Sequence, residues 1–177
     1  MPRAGGNAAP TAHLSGPSVP PVEPLPILAD PSGGEDPPPS PERRALMARI
    51  RGKDTKPELL VRRLLHGLGY RYRLHRRSLP GTPDLVFPRR RKVVLVHGCF
   101  WHWHDGCRHA ARLPRTRSAF WAAKLARNRE RDAENARDLA GLGWESHVVW
   151  ECEVKDREAL AARLRAFLDG VPVSPSR

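Results

Sequence analysis

Val93-Val94-Leu95-Val96-His97-Gly98-Cys99-Phe100-Trp101-His102-Trp103-His104-Asp105-Gly106-Cys107 is the stretch from which the rest of the chain can be read. Its first four residues are aliphatic without a break, the pattern of a central strand covered on both faces. Directly behind them, thiol, imidazole and aromatic groups crowd together as they do nowhere else in the sequence. Cys99, His104 and Cys107 offer three corners of a tetrahedral zinc site, and Cys152 supplies a fourth from the end of a later strand. His102 and His109 compete with His104 for the imidazole position. Four protein ligands leave no open position, so such a zinc is structural. These are all 3 cysteines of the chain, an odd number that argues against a disulfide framework and for a reducing compartment.

Working towards the N-terminus, Pro80-Gly81 supplies a turn before a short strand, Asp84 to Phe87, and Tyr70 to Leu74 alternates apolar and basic residues as a third strand would. Thr55 to Glu58 has capping-box spacing ahead of Leu59, Leu60, Val61, Leu64, Leu65 and Leu68, a helix closed by Gly69. Ser40, Pro41 and Glu42 start a short basic helix over 41–51, ended by Gly52. Towards the C-terminus, a helical pattern from Arg117 to Leu142 places Phe120, Leu125 and Leu139 on its apolar side. The strand Ser146 to Trp150 and a helix over 156–169 follow. This order predicts an α/β fold, a mixed sheet of about four strands flanked by helices, with the last strand reached by a helical crossover.

Residues 1–41 hold 12 of the 19 prolines. Residues 1–40 are therefore expected to be a disordered tail, 41–170 the folded domain, and 171–177, with Pro172 and Pro175, a flexible C-terminus. The net charge of +12 is carried by the folded part, because residues 1–40 hold only Arg3 against Glu23, Asp30, Glu35 and Asp36. A small domain with that surplus calls for a polyanionic partner, and nucleic acid is the first expectation. No apolar run is long enough to span a bilayer and no secretory signal opens the chain, so a soluble, cytoplasmic protein with no membrane partner is expected.

The acidic candidates are each ambiguous alone. Asp84 follows a tight turn next to the end of the central strand, where a carboxylate suits a hard oxygen-seeking cation such as magnesium, yet it also reads as a turn cap. Glu58 reads equally as part of its capping box, Asp132 as a partner of Arg129 on a solvated helix face, and His97 as an ordinary strand-end histidine. Only their convergence in a basic chain points to phosphodiester hydrolysis.

Met47-Ala48-Arg49-Ile50, Asp54-Thr55, Leu79-Pro80-Gly81-Thr82-Pro83-Asp84, His97 through His102, Phe120-Trp121, Asn128 through Asp132, and Gly143-Trp144 through Val149-Trp150-Glu151-Cys152 occur in the order and spacing of very-short-patch-repair (Vsr-type) DNA mismatch endonucleases. The resemblance spans about residues 43–168. It implies a restriction-endonuclease-like core with one structural zinc, and an enzyme that nicks duplex DNA 5′ of the thymine in a T:G mismatch left by deamination of 5-methylcytosine. By the same resemblance Asp84 binds catalytic magnesium with the carbonyl of Val96, His102 is the general base, and Glu58, His97 and Asp132 hold waters around the metal. Cys99, His104, Cys107 and Cys152 match the zinc ligands. Phe100, Trp101 and Trp121 match aromatics that wedge beside the mismatch from the major groove, with Met47 and Ile50 approaching from the other side. The resemblance also implies a nucleoid-associated monomer working beside other mismatch-repair proteins. The acid-x-Lys of related restriction-like nucleases is absent, its place taken by His97-Gly98-Cys99. A restriction-like nuclease of other specificity and a non-catalytic, zinc-stabilised DNA-binding module are the alternative readings.

Overall fold

The computed structural model describes residues 40–48, 52–110, 113–114 and 117–170; for residues 43 and 46–48 the description is of the backbone alone. The expectations for the tail over 1–39, for 171–177, for Ile50 and for the side chain of Met47 lie outside the described residues.

Among the described residues, four helices and four strands form the fold: α1 (Pro41–Ala48), α2 (Lys56–Gly67), β1 (Arg73–Leu74), β2 (Leu85–Phe87), β3 (Lys92–His97), α3 (Ser118–Gly141), β4 (Glu145–Trp150) and α4 (Arg157–Asp169). Short 3-10 turns over Pro88–Arg90 and Glu151–Lys155 complete it. The sheet is ordered β1-β2-β3-β4, with the first three strands antiparallel and β4 parallel to β3. This is the mixed α/β sheet that the sequence predicts. Among the described residues no helix is long and apolar enough to cross a membrane.

Strand alternation divides the core between the two faces of the sheet. Leu85, Phe87, Val94 and Val149 point to one side, where Val61 and Leu65 of α2 and Leu160, Leu164 and Leu168 of α4 cover them. Val86 and Val93 point to the other, against Leu139 of α3, Leu79 and Trp144. Each leucine or valine so enclosed contributes about 1.5–3 kcal/mol relative to exposure. The helix α2 starts where its capping residue is: Thr55, in extended conformation, accepts from the Glu58 N–H through its side chain. Gly69, at φ +90°, ends it in the left-handed region where a side chain would be strained.

Two expectations need correction. The strand anticipated over Tyr70 to Leu74 shrinks to Arg73–Leu74. Tyr70 N–H closes the end of α2 by donating to Leu65 O, and both tyrosine rings meet Phe87 edge-on at centroid distances of 6.4 and 5.9 Å. Their hydroxyls donate to Asp169 and to Arg62 O, so packing and polar tips outweigh ladder pairing here. Phe120, read as an apolar contact of its helix, is 41% exposed, whereas Leu125 and Leu139 are fully buried.

The topology also decides where chemistry can gather. Because β3 and β4 are parallel and in register from Lys92 with Glu145 to His97 with Trp150, the segments after both strands leave at the same edge. The antiparallel β2 begins there too, with Leu85 paired to Val94. The start of β2 is reached through Gly81 and Thr82, both at positive φ. A Cβ on Gly81 would lie 2.9 Å from Asn135 Nδ2, so this turn can press against α3 only as glycine.

Candidate functional site

Two clusters flank the loop that leaves β3. In the first, Cys99, His104, Cys107 and Cys152 bring one ligand atom each to within 4.8 Å of all the others. The His104 Nδ1 atom is 3.6 Å from Cys99 Sγ and 3.4 Å from Cys152 Sγ. A tetrahedral zinc with ordinary bonds to sulfur and nitrogen separates such ligand atoms by about 3.5 Å, so the donor set and its spacing fit that ion. Burial pushes the Cys99 thiol up to about 12 and raises Cys152 as well, while the backbone N–H of His109 heads the causes that lower Cys107. Thiols packed together in this way become thiolates when a cation neutralises them. Of the three histidines that competed for this position, His104 is the one that reaches the sulfurs; His102 belongs to the other cluster, and His109 is exposed and outside both.

The second cluster lines an open cleft of about 570 Å³. Glu58, Asp84, Val96, His97, His102 and Asp132 all face it. They come from the first turn of α2, the start of β2, the end of β3, the following loop and the middle of α3, which only the folded topology brings together. Asp84 Oδ2 accepts from the Val96 N–H at 2.7 Å, pinning the carboxylate to the end of the central strand. Burial lifts the Asp84 carboxyl above the usual range and the charge of Glu58 adds to this, against the Val96 hydrogen bond, His75 and Arg62. A half-buried carboxylate kept short of compensating charge fits a hard cation.

His102 Nδ1 lies 2.5 Å from Asp132 Oδ2, and its ring stacks on His97 with centroids 3.8 Å apart and planes 12° from parallel. Burial drives the pKa of His97 down to about 4, with His102 beside it adding to the shift, so this imidazole is neutral at physiological pH. Arg129, the partner that sequence reasoning offered Asp132, instead grips Asp105 at 3.1 and 3.3 Å. Trp150 joins the two clusters. Its ring lies parallel to His104 at 4.1 Å and edge-on to His97 at 5.5 Å.

The aromatics gather beside the cleft, Phe100 and Trp101 from the same loop and Phe120 and Trp121 from the first turn of α3. Phe100, Trp101 and Trp121 make a triangle of centroid distances 5.2, 5.5 and 5.9 Å. Phe120 adds a fourth ring 5.5 Å from Trp121, and the Lys124 ammonium sits 5.4 Å from the centroids of both Trp101 and Trp121. Asn128 holds the loop by donating to Trp101 O at 2.9 Å.

Sequence reasoning missed Arg62, His75 and Trp150. The spacing of Glu58 and Arg62 by four residues on a helix was a legible signal for an ion pair. His75 had none, since it lies at φ +44° after β1, and only the sheet brings it to Asp84, with His75 Nδ1 3.8 Å from Asp84 Oδ1.

The family model described as DNA mismatch endonuclease Vsr matches residues 38–108. The chain is 56% identical over 131 residues to a type II nicking enzyme, V.XorIIP, of Xanthomonas oryzae, covering 73% of this chain and 95% of that protein. It is 40% identical over 127 residues to the type II nicking enzyme V.NmeAIP of Neisseria meningitidis, covering 72% and 89%. It is also 40% identical over 129 residues to the DNA mismatch endonuclease Vsr of Escherichia coli, covering 70% and 81%. Likeness at this level, over nearly the full length of its relatives, makes this chain a member of the Vsr family of DNA endonucleases.

Proposed function

We propose that the protein nicks one strand of duplex DNA on the 5′ side of a thymine mispaired with guanine, the step that opens very short patch repair. The observation that carries this reading is the cleft that gathers Glu58, Asp84, Val96, His97, His102 and Asp132 beside an aromatic cluster built from the loop of His102 and the start of α3. The domain is residues 41–170 with a restriction-endonuclease-like core, and it acts as a monomer on DNA in the cytoplasm. The tail over 1–40 and residues 171–177 lie outside the catalytic unit.

Asp84 and the carbonyl of Val96 would hold magnesium. When bound there, that ion neutralises charge building on the phosphate and favours ionisation of the attacking water. His102 receives the proton. Its Nδ1 donates to the Asp132 carboxylate at 2.5 Å, which fixes the tautomer and leaves Nε2 with the lone pair that accepts. Asp132 thus orients the base and would also hold a water bound to the magnesium. Neutral His97, stacked on the same ring, holds the imidazole plane without adding a competing charge. Glu58 supplies a second carboxylate to the cleft. Cys99, His104, Cys107 and Cys152 would hold zinc, which ties the loop bearing His102 to the end of β4.

Phe100, Trp101 and Trp121 form the wedge that enters the duplex, with Met47 and Ile50 meeting it from the opposite side. A T:G wobble pair stacks weakly, so opening its step costs less than opening a matched one, and a rigid aromatic wedge turns that difference into selectivity. The test is nicking of a T:G duplex and its matched counterpart with magnesium, mapping the cut. Cleavage 5′ of the mispaired thymine, absent from the matched duplex and without magnesium, is expected. Equal cutting of both duplexes would replace the reading with a nuclease of other specificity, and tight binding without any cut would make the chain a DNA-binding module.

A further inference from the structure

A second cavity, also of about 570 Å³, opens at the opposite end of the sheet from the carboxylate cleft. Its place follows from the strands. Asp84 enters β2 at the cleft, and Phe87 leaves β2 at the other end, paired with Lys92 at the start of β3. On its other side β2 is paired with β1 only as far as Val86 with Arg73, so Phe87 has no strand partner there, and Tyr70 and Tyr72 floor the opening with it.

Four exposed arginines rim this apolar floor, Arg71 and Arg73 on one side and Arg89 and Arg90 on the other. Asp169 answers part of that charge: it pairs with Arg90 at 3.1 Å and accepts from the Tyr70 hydroxyl at 2.7 Å. Arg71 donates to the main-chain carbonyls of His66 and Tyr70, and Arg73 and Arg89 meet no hydrogen bond or ion pair among the described residues. Like charges gathered over an aromatic floor repel one another and attract an anionic chain that can also lie against the rings.

The complementary composition stands in the same chain. Residues 20–39 hold Glu23, Asp30, Glu35 and Asp36 among 8 prolines, with no Lys, Arg or His. Proline-rich chain suits aromatic-lined grooves because it loses little freedom on docking, and carboxylates pair with the guanidinium fork through charge-assisted hydrogen bonds. Length permits it as well. The helix α2 covers about 18 Å between the cleft and this cavity, and twenty residues in polyproline form would span about 60 Å. Exposed ion pairs are individually weak, but a tethered segment is present at roughly millimolar effective concentration, which a free partner rarely reaches. Residues 171–177 follow directly on α4, whose Asp169 stands at the cavity, yet they carry Arg177 and no acidic side chain.

We propose that the acidic, proline-rich segment 20–39 docks in this arginine-rimmed crevice of its own chain, and so withholds Arg71, Arg73, Arg89 and Arg90 from DNA phosphates far from the cleft.

The test follows amide NMR signals of the isotope-labelled, zinc-loaded full chain. Exchanging Glu23→Gln, Asp30→Asn, Glu35→Gln and Asp36→Asn together is expected to shift the signals of residues 69–73 and 87–90 and to leave those of Asp84, His97 and His102 in place. Arg73→Ala with Arg89→Ala, both on exposed side chains, is expected to shift the signals of residues 20–39 in return. Silence in either direction, or shifts elsewhere in the folded domain, would overturn the proposal. Shifts that grow with chain concentration would give the crevice to the segment of a second copy, and a response of residues 171–177 in place of 20–39 would give it to the C-terminus. Displacement of the crevice signals of the native chain by a matched duplex would give it to DNA, and each of these three results overturns the proposal too.

Discussion

The cysteine cluster and the carboxylate cleft share one loop, yet they are opposite kinds of site. In the first, four soft ligands face one another and Cys99 is 1% exposed, so every donor is used inside the cluster. In the second, acids and imidazoles line an open space of about 570 Å³, with Asp132 against His102, Glu58 against Arg62 and Asp84 held by the Val96 N–H. A closed set of donors is built to hold something permanently, whereas an open one is built to be completed by substrate and solvent. The difference teaches that removing a ligand has opposite consequences in the two places: in one it should cost the fold, in the other only the chemistry.

The sharpest way to break that contrast is Asp84→Asn. Nicking of the T:G duplex is expected to fall below detection while zinc content and mismatch binding stay as they are; loss of zinc or of binding would merge the two sites into one structural unit. Cys152→Ala is the converse, expected to release zinc and lower unfolding free energy by several kcal/mol, on the scale of a lost structural metal site. Full zinc with unchanged denaturation would show that the cluster is not closed by that residue. His102→Ala should slow single-turnover nicking by about two to four orders of magnitude, the usual worth of a positioned general base. An unchanged rate takes His102 out of the chemistry.

Smaller effects refine the comparison. Trp101→Ala is expected to reduce the preference for T:G over matched duplex by about tenfold to a hundredfold, since aromatic stacking is worth roughly 1–3 kcal/mol per ring. Equal affinity losses on both duplexes, with a lower melting temperature, would make Trp101 a packing residue. The smallest effect has the most telling sign. Burial holds the Asp84 carboxyl above its usual range, so in the absence of magnesium its charged form weakens the fold as pH rises through that raised value. Asp84→Asn should therefore raise the melting temperature slightly at neutral pH, and the gain should vanish in acid where the native carboxyl is protonated. A lowered melting temperature at neutral pH would show that the Val96 hydrogen bond outweighs the desolvation.

How far each site was legible follows from the same contrast. Cysteines are few, so Cys99, Cys107 and Cys152 announced a cluster from composition alone, and the central strand announced its place in the sheet. Glu58, Asp84 and Asp132 are common residues with local structural uses, and what distinguished them was the family resemblance, not their spacing. Arg62 and His75 lie outside the motifs that carried that resemblance. They become visible only when the short β1 pairs with β2 and carries His75 to the end of the sheet where Asp84 stands. Tyr70 and Tyr72 misled because alternation describes half-buried side chains whether or not the backbone joins a ladder.

The parallel pairing of β3 with β4 has a kinetic consequence. Partners such as Val94 and His147 are separated by the whole of α3 and the loop before it, so closing that pair costs much chain entropy before any contact repays it. The cluster of Cys99 and Cys152 joins the same two segments at their ends, and zinc held there as proposed would tie them together. Metal captured early would hold the strands near each other while they find their register, so zinc supplied during refolding should shorten the search, and zinc supplied afterwards should only fasten the result.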